Sequence, residues 1–489
     1  MSVNMTKVIE RRERKRQATA IETARIAEMP PVIRSFKLFG LNRFKDVGIH
    51  FEAPVKVVAA ENGSGKTTVT NALYAILVDK PELLSRIDFD HFVLELNNFP
   101  VLRFKKTDLF PREHIEIAMK NSDFDSFMLS QWPITSVDVQ EMLLEYTNGT
   151  LEDHPMYDHI YIDSPYTKDD ITEAFESLSN AYQFKASAWA ELQKGVKFAC
   201  ADFDVVYLPT YRRVEADLPQ YRKSKVHRRG RRFPSLLDEG EDNLINFGLA
   251  DVQEKVDNLL TEIKQRTLTA YSQISRNTLQ HLATRQTDTG REGVNFEQDD
   301  IKVIFARLPD DNSAAEAAVL KLIENGTINR PANRNLRNFL SQLVDAFNET
   351  RHSESTISKF VEIVNDYFDN GFKEKEIVYD KFNVSVEIKN TINGTTLLLN
   401  NLSSGEKQIV SIFSRLCLNR TRKAIILIDE PELSLSMDWQ KALLPDLWMT
   451  GNCAQIVAIT HSPFIFQNDF DIFAGSMELA YNNTKQNDI

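Results

Sequence analysis

Cysteine is scarce in this sequence: Cys200, Cys417 and Cys453 are the only three among 489 residues. They lie far apart in apolar or loop contexts, which excludes a disulfide framework and the paired spacing of a zinc site. Long hydrophobic runs are missing as well. No window approaches the roughly 20 apolar residues that span a bilayer. The charged start (Arg11, Arg12, Arg14, Lys15, Arg16) has no apolar core behind it, so it does not read as a secretory leader. These absences predict a cytoplasmic protein with no membrane partner. Positive charge is in deficit, with a net charge of −12. That argues against a protein that coats nucleic acid over its whole surface, and leaves room only for a local basic patch. No internal repeat or low-complexity segment breaks the chain.

What is present is an ordinary globular composition, 42% hydrophobic and 26% charged, on a chain long enough for two to four domain-sized units. A charged tail (1–30) ends at Pro30-Pro31. Strand-like runs follow at Val32–Phe39, Val47–Phe51 and Val55–Ala60, then a glycine-bearing loop and a helical Thr67–Leu77. Asn97-Asn98 marks a hairpin. Residues 111–200 read as mixed and mostly helical, and Val205–Leu208 as a short buried strand closed by Pro209. Apolar residues at helical spacing (Val252, Val256, Leu259, Leu260, Ile263) predict a long amphipathic helix. Strands return at Phe382–Ile388 and Thr396–Leu399 around Asn393-Gly394.

Between strand and helix stands Ala60-Glu61-Asn62-Gly63-Ser64-Gly65-Lys66-Thr67, with Thr68 next. It matches the Walker A pattern except that Ala60 replaces the first glycine. Glycines let successive N–H groups wrap a phosphate, Lys66 brings a mobile positive charge to the β/γ oxygens, and the Thr67 hydroxyl suits Mg²⁺. A bare glycine-rich turn is the plainer alternative, and the strand-loop-helix context disfavours it. Residues Ala424–Glu432 (AIILIDEPE) add a strand buried on both faces, ending in two carboxylates. Asp429 is placed to hold Mg²⁺, and Glu430 to orient or deprotonate an attacking water. A strand that simply ends in solvated acids is the alternative, and it weakens beside a Walker A.

About 25 residues earlier, Asn401–Gln408 (NLSSGEKQ) opens a helix. As a bare pattern it is an N-cap. In the order Walker A, Ser-Ser-Gly, Walker B, it resembles the ABC signature, with Ser403 and Gly405 matching and Ser404 replacing a glycine. Ile459–Pro463 (ITHSP) and Leu427–Leu435 (LIDEPELSL) are close to the wording of the SMC, RecF and OLD-like branch of the ABC ATPases. That resemblance covers about residues 32–110 and 375–475. It implies an α/β fold: a P-loop ABC-type head, a mixed sheet with flanking helices, carrying a large, mainly helical insertion. It also implies ATP and Mg²⁺ as ligands, with Ser403, Ser404 and Gly405 of one head binding the γ-phosphate held by Glu61–Thr68 of another. Lys66, Glu430 and His461 are then the catalytic set, His461 as γ-phosphate sensor, and Ser434-Leu435-Ser436 a D-loop.

The expected organisation follows: head (31–110), insert (111–200), head strand with a Q-loop-like segment (201–215), helical lobe (216–375) and second head part (376–489). Thr210, Tyr211, Arg212 and Arg213 stand where a Q-loop glutamine is expected. The lobe is too short for a chromosome-organising coiled coil. The basic run Arg222, Lys223, Lys225, Arg228, Arg229, Arg231 and Arg232 reads either as a nucleic-acid or acidic-protein contact or as a solvated loop. Tyr207–Glu215 (YLPTYRRVE) and the overall size most resemble the AriA family, the ATPase subunits of the PARIS anti-phage system. The Septu ATPases, paired with an HNH nuclease, come second. The AriA resemblance implies an ATP-dependent homo-oligomeric scaffold, dimer or higher, that holds a separate nuclease and releases it on a phage-encoded trigger. About 28 residues follow His461, which predicts that any nuclease is another chain. A RecF-like DNA-repair clamp is the competing class; a transporter ATPase is disfavoured by the long insert.

Overall fold

The computed structural model describes residues 17–59, 64–110, 115, 118–119, 122, 136–148, 151–162, 167–182, 187–209, 249–284, 296–308, 313–369, 374–418 and 422–481. They form two compact units, one within 1–245 and 421–489, the other within 246–420. The first contains β1 (Ile33–Leu41), β2 (Lys45–His50), β3 (Val55–Ala59), β4 (His91–Leu96), β5 (Leu102–Lys105) and β6 (Phe203–Leu208). The second contributes β7 (Lys375–Asp380), β8 (Ser385–Asn390) and β9 (Thr396–Leu397). The first then resumes with β10 (Lys423–Asp429), β11 (Cys453–Thr460), β12 (Ala474–Gly475) and β13 (Glu478–Tyr481). The first unit is thus an α/β head of mixed sheets and flanking helices, with a large and mainly helical insertion between β6 and β10.

Two five-stranded sheets build the head: a parallel one, β12-β3-β11-β10-β6, and an antiparallel one, β13-β2-β1-β4-β5. The aliphatic run Ala424–Ile428 is buried throughout because β10 is flanked by β6 and β11 and covered on both faces. Register does the positioning. Asp429 lies opposite Ile459, and Thr460 opposite Ala59. The chain therefore leaves β3, β10 and β11 at one edge, the carboxyl ends of parallel strands, where open α/β sheets bind ligands.

Helix α1 (Lys66–Leu77) is nearly engulfed. Val69, Leu73 and Ile76 share one hydrophobic core with Phe36 and Leu38 of β1 and Ile425 and Leu427 of β10. Helix α2 (Ser187–Cys200) closes its C-terminal end: Gln193 Nε2 donates to the Ile76 carbonyl and Trp189 Nε1 to Asp79, each at 2.8 Å. One of the carbonyls a helix end leaves open is thereby satisfied. Fully buried Gln455 exchanges two hydrogen bonds with the Ile33 backbone, at 2.8 and 3.1 Å, tying β11 to the start of β1. A second small core (Val139, Leu143, Phe175, Leu178) joins helices Ser136–Asn148 and Lys168–Ala181. All three cysteines are buried and none is in a disulfide. Burial pushes the Cys200 and Cys417 thiols up to about 11, so they behave as small apolar side chains.

In the second unit the long helices α3 (Leu249–Thr284) and α4 (Arg334–Phe368) pack on each other. Arg307 makes a paired contact with Glu354, 2.8 Å on both arms, with side chains 3% and 11% exposed. The Lys381 carbonyl accepts from the same guanidinium, and Tyr379 Oη donates to Glu354 at 3.2 Å. Charges this buried persist only when paired. Helix α5 (Ser404–Cys417) packs on α4, with the Tyr367 and Phe413 ring centroids 5.5 Å apart. Strands β7, β8 and β9 form an antiparallel sheet. The Ser403 segment thus belongs with the helical unit. Among the described residues no helix is long and apolar enough to cross a membrane.

Candidate functional site

The site is built on the backbone of Gly65, the residue before α1, whose φ of 97° is left-handed. Glycine reaches that region without penalty. A Cβ there would also stand 3.1 Å from Leu41 Cδ2 and 3.4 Å from Lys45 Nζ. The next residue, Lys66, turns its ammonium onto the imidazole of His461, donating to Nε2 with Nδ1 at 3.2 Å. Thr67 Oγ1 donates to Asp429 Oδ2 at 2.9 Å. Burial lowers the Lys66 pKa below its ordinary value, while the Glu430, Asp429 and Glu432 carboxylates pull it back up. An ammonium short of water and ringed by acids can bind the β/γ oxygens of a nucleotide with little further desolvation.

Past Asp429 the chain bends sharply. Glu430 has φ 49° and Ser434 φ 63°. A non-glycine residue held left-handed costs about 1–3 kcal/mol, and such outliers cluster where a side chain must be aimed. The Glu430 N–H still donates to the Ile459 carbonyl at 2.9 Å, so the bend begins without breaking the ladder. Its Oε1 lies 3.9 Å from His461 Nε2. Asp429 is buried, whereas Glu430 is about a third exposed. One acid is therefore placed to hold a cation and the other to reach a water. Thr67 and Asp429 offer two adjacent hard oxygens. That donor set fits Mg²⁺, which takes few protein ligands and completes its shell with phosphate oxygens and water.

Glu432 is the site residue that sequence reading left without a role. Its Oε2 accepts from Thr460 Oγ1 and its Oε1 from the His461 N–H, both at 2.7 Å. Gln440, on the helix Met437–Met449, donates through Nε2 to the Glu432 carbonyl (3.3 Å) and the Leu435 carbonyl (2.9 Å). Its Oε1 accepts from Ser462 Oγ at 2.6 Å, and the Ser462 N–H returns to Thr460 Oγ1 at 2.9 Å. A Glu two residues beyond the paired acids, with a Thr-His pair ending the neighbouring strand, was the available signal.

In the second unit, Ser403 caps α5. Its Oγ accepts from the Glu406 N–H at 3.4 Å, and its own N–H donates to Glu406 Oε2 at 2.6 Å. Burial pushes the Glu406 carboxyl up, but the Lys375 ammonium at 2.8 Å and the Ser403 groups outweigh it and hold the carboxyl below its ordinary range. Ser404 and Gly405 form the first turn. Their N–H groups point out of the helix start, the end that attracts anions.

The structure brings Lys66, Thr67, Asp429, Glu430 and His461 together in the first unit, with buried Ser64 and partly buried Thr68 beside them. Ser403, Ser404 and Gly405 lie in the second unit. Ala60, Glu61, Asn62 and Gly63, the segment Thr210–Glu215 and the basic run 222–232 fall outside the described residues.

With that geometry in place, comparison with known proteins is decisive for the family. The AAA ATPase domain family matches residues 32–466, from β1 past the His461 loop. The chain belongs to that family. No curated protein matches this AAA ATPase. Solved structures similar to it include the Smc head domain with an extended coiled coil, bound to the C-terminal domain of ScpA, from Pyrococcus furiosus. That match is 13% identical, covers 92% of this chain and 97% of that one, and has a TM-score of 0.35. The SmcHead bound to the C-winged helix domain of ScpA (11% identical, 93% and 98% covered) has a TM-score of 0.33. The Smc head domain with a coiled coil and joint from Pyrococcus yayanosii (12%, 92% and 97%) has one of 0.29. TM-scores this low carry neither function nor partners across to this chain.

Proposed function

We propose that this AAA ATPase hydrolyses ATP in the ABC/SMC manner, at sites shared between two copies, and that closure and reopening of the pair control a partner. The observation that carries the hydrolysis is the convergence of Lys66, Thr67, Asp429, Glu430 and His461 at one sheet edge, and support for the sharing comes from the resemblance of Asn401–Gln408 to the ABC signature. Lys66 neutralises the β/γ oxygens. Thr67 and Asp429 would hold Mg²⁺, which would supply positive charge against the phosphate oxygens. Glu430 orients the attacking water and accepts its proton, and His461 reports whether the γ-phosphate is present. Ser403, Ser404 and Gly405 of the second copy close over that phosphate with helix N–H groups. Hydrolysis then ends the closed state.

The partner is a separate nuclease held by the closed assembly and released on a phage-encoded trigger. Support for this part comes from the resemblance of Tyr207–Glu215 to the AriA family. The test is purification of tagged Glu430→Gln with ATP from its own gene neighbourhood, alongside sedimentation of the pure chain with and without ATP. An ATP-dependent dimer or larger assembly that carries a nuclease in fixed ratio is the expected result. An assembly that brings DNA alone would replace the defence reading with the RecF-like clamp. A chain that stays monomeric in ATP would overturn the shared-site reading itself.

A further inference from the structure

The bonds around Glu432 end on the backbone of His461, the residue read above as the γ-phosphate sensor, and on the threonine before it. Each carboxylate oxygen is used once, on Thr460 Oγ1 and on the His461 N–H, both 2.7 Å. The residue's own carbonyl is held from the other side by Gln440, which also receives Ser462 Oγ. The turn after β10, the helix Met437–Met449 and the loop after β11 are thereby closed into one ring of hydrogen bonds. We infer that Glu432 is a positioning residue: it fixes the His461 backbone so that the imidazole stands between Lys66 and Glu430, and thereby sets how well the site tells ATP from ADP. This rests on the nucleotide-site reading above and deepens it.

Three features of the ring support the assignment over a merely structural one. The bonds run to the backbone N–H of His461 and to the hydroxyl of the preceding residue, so they fix where the histidine sits without occupying its ring. The imidazole is left to face the Lys66 ammonium and the Glu430 carboxylate. The Glu432 charge also adds to the field at Lys66, with less effect there than Glu430 or Asp429. A bond from a charged acceptor to a backbone N–H is among the stronger ones available to a protein, and it fixes position where a side-chain contact alone would let the loop move.

The role is separable from bulk by chemistry. In Glu432→Gln the amide oxygen still accepts from the His461 N–H, and the amide nitrogen can donate to Thr460 Oγ1, so the geometry survives loss of the charge. In Glu432→Ala both bonds are gone. The decisive measurement is equilibrium binding of a non-hydrolysable ATP analogue and of ADP to the full-length parent, Glu432→Ala, Glu432→Gln, His461→Ala and the Glu432→Ala/His461→Ala double variant. Binding is used because it reads the sensor without needing turnover. Glu432→Ala should lose about tenfold of the analogue-over-ADP preference, as His461→Ala does, with ADP affinity held within about threefold. Glu432→Gln should restore the preference to within about threefold. The double variant should be no worse than His461→Ala, since residues that act as one unit are not additive. Additive losses, or a parental preference kept in Glu432→Ala, would overturn the inference and leave the nucleotide site standing. A parent that binds both nucleotides with no preference would overturn the sensor role of His461 and this inference with it.

Discussion

Three acids surround Lys66, and their different settings assign them different tasks. Asp429 is buried and bonded to Thr67, so it holds position. Glu432 is bound at both oxygens, so it holds a loop. Glu430 lies 3.9 Å from His461 and keeps part of its surface open, which leaves it able to take a proton. Glu430→Gln should therefore lower kcat by about 100-fold or more, the range for loss of a general base. ATP affinity should hold within about threefold, read by single-turnover hydrolysis beside equilibrium binding. Gly65→Ala tests the loop: a left-handed non-glycine costs about 1–2 kcal/mol, and the methyl would press on Leu41 and Lys45. Weaker ATP binding and a lower melting temperature are expected together. At this scale the sequence made legible the residues whose chemistry is tied to local spacing, such as Gly65-Lys66-Thr67 and Asp429-Glu430. Glu432 was not legible. Its partners are 28 and 29 positions away, brought near only by the β10–β11 register.

Elements with a strong period or an obligatory turn were legible too. The run Val252–Ile263 became α3, and Asn97-Asn98 became the β4–β5 turn, with Asn98 at φ 56°. Strand β7 was not, because Lys375–Asp380 is half-charged and only Ile377 is buried along it. Its pairing with β8 supplies what propensity does not. The start of α5 rests on that strand, since Lys375 holds Glu406 of the cap. Ser403→Ala should cost about 1 kcal/mol of stability, the usual worth of an N-cap. Glu406 adds a pH dependence. Its carboxyl titrates below the ordinary glutamate range when folded. Its contribution is therefore complete above the unfolded value of about 4.3, and is lost as pH falls through the lower folded value. Melting temperatures of the parent and Glu406→Gln should differ near neutrality and begin to draw together only as pH falls below about 4.3. A constant gap across that window would remove the charge from the account.

Whether one copy suffices is a question for the whole molecule, and mixing two broken chains answers it. Lys66→Ala removes the ammonium that the proposed function assigns to the phosphates; Ser403→Arg replaces the capping hydroxyl with a bulky cation at the helix start that the same reading closes over the γ-phosphate. The second change also removes a cap, worth about 1 kcal/mol, which is small against the 5–15 kcal/mol of a typical domain and should leave the chain folded. If every site takes Lys66 from one copy and Ser403 from another, each variant alone is inactive. In an equal mixture, about one site in four combines an intact Lys66 with an intact Ser403, whether the copies form a two-fold pair or a closed ring. Mixing should then recover about a quarter of parental hydrolysis from two inactive preparations. If each site were completed within one chain, no mixture could repair it, and the rate would stay at the background of the separate variants. Recovery near a quarter would make the shared site a property of the assembly, and would make partner control possible through anything that favours or prevents the meeting of two heads.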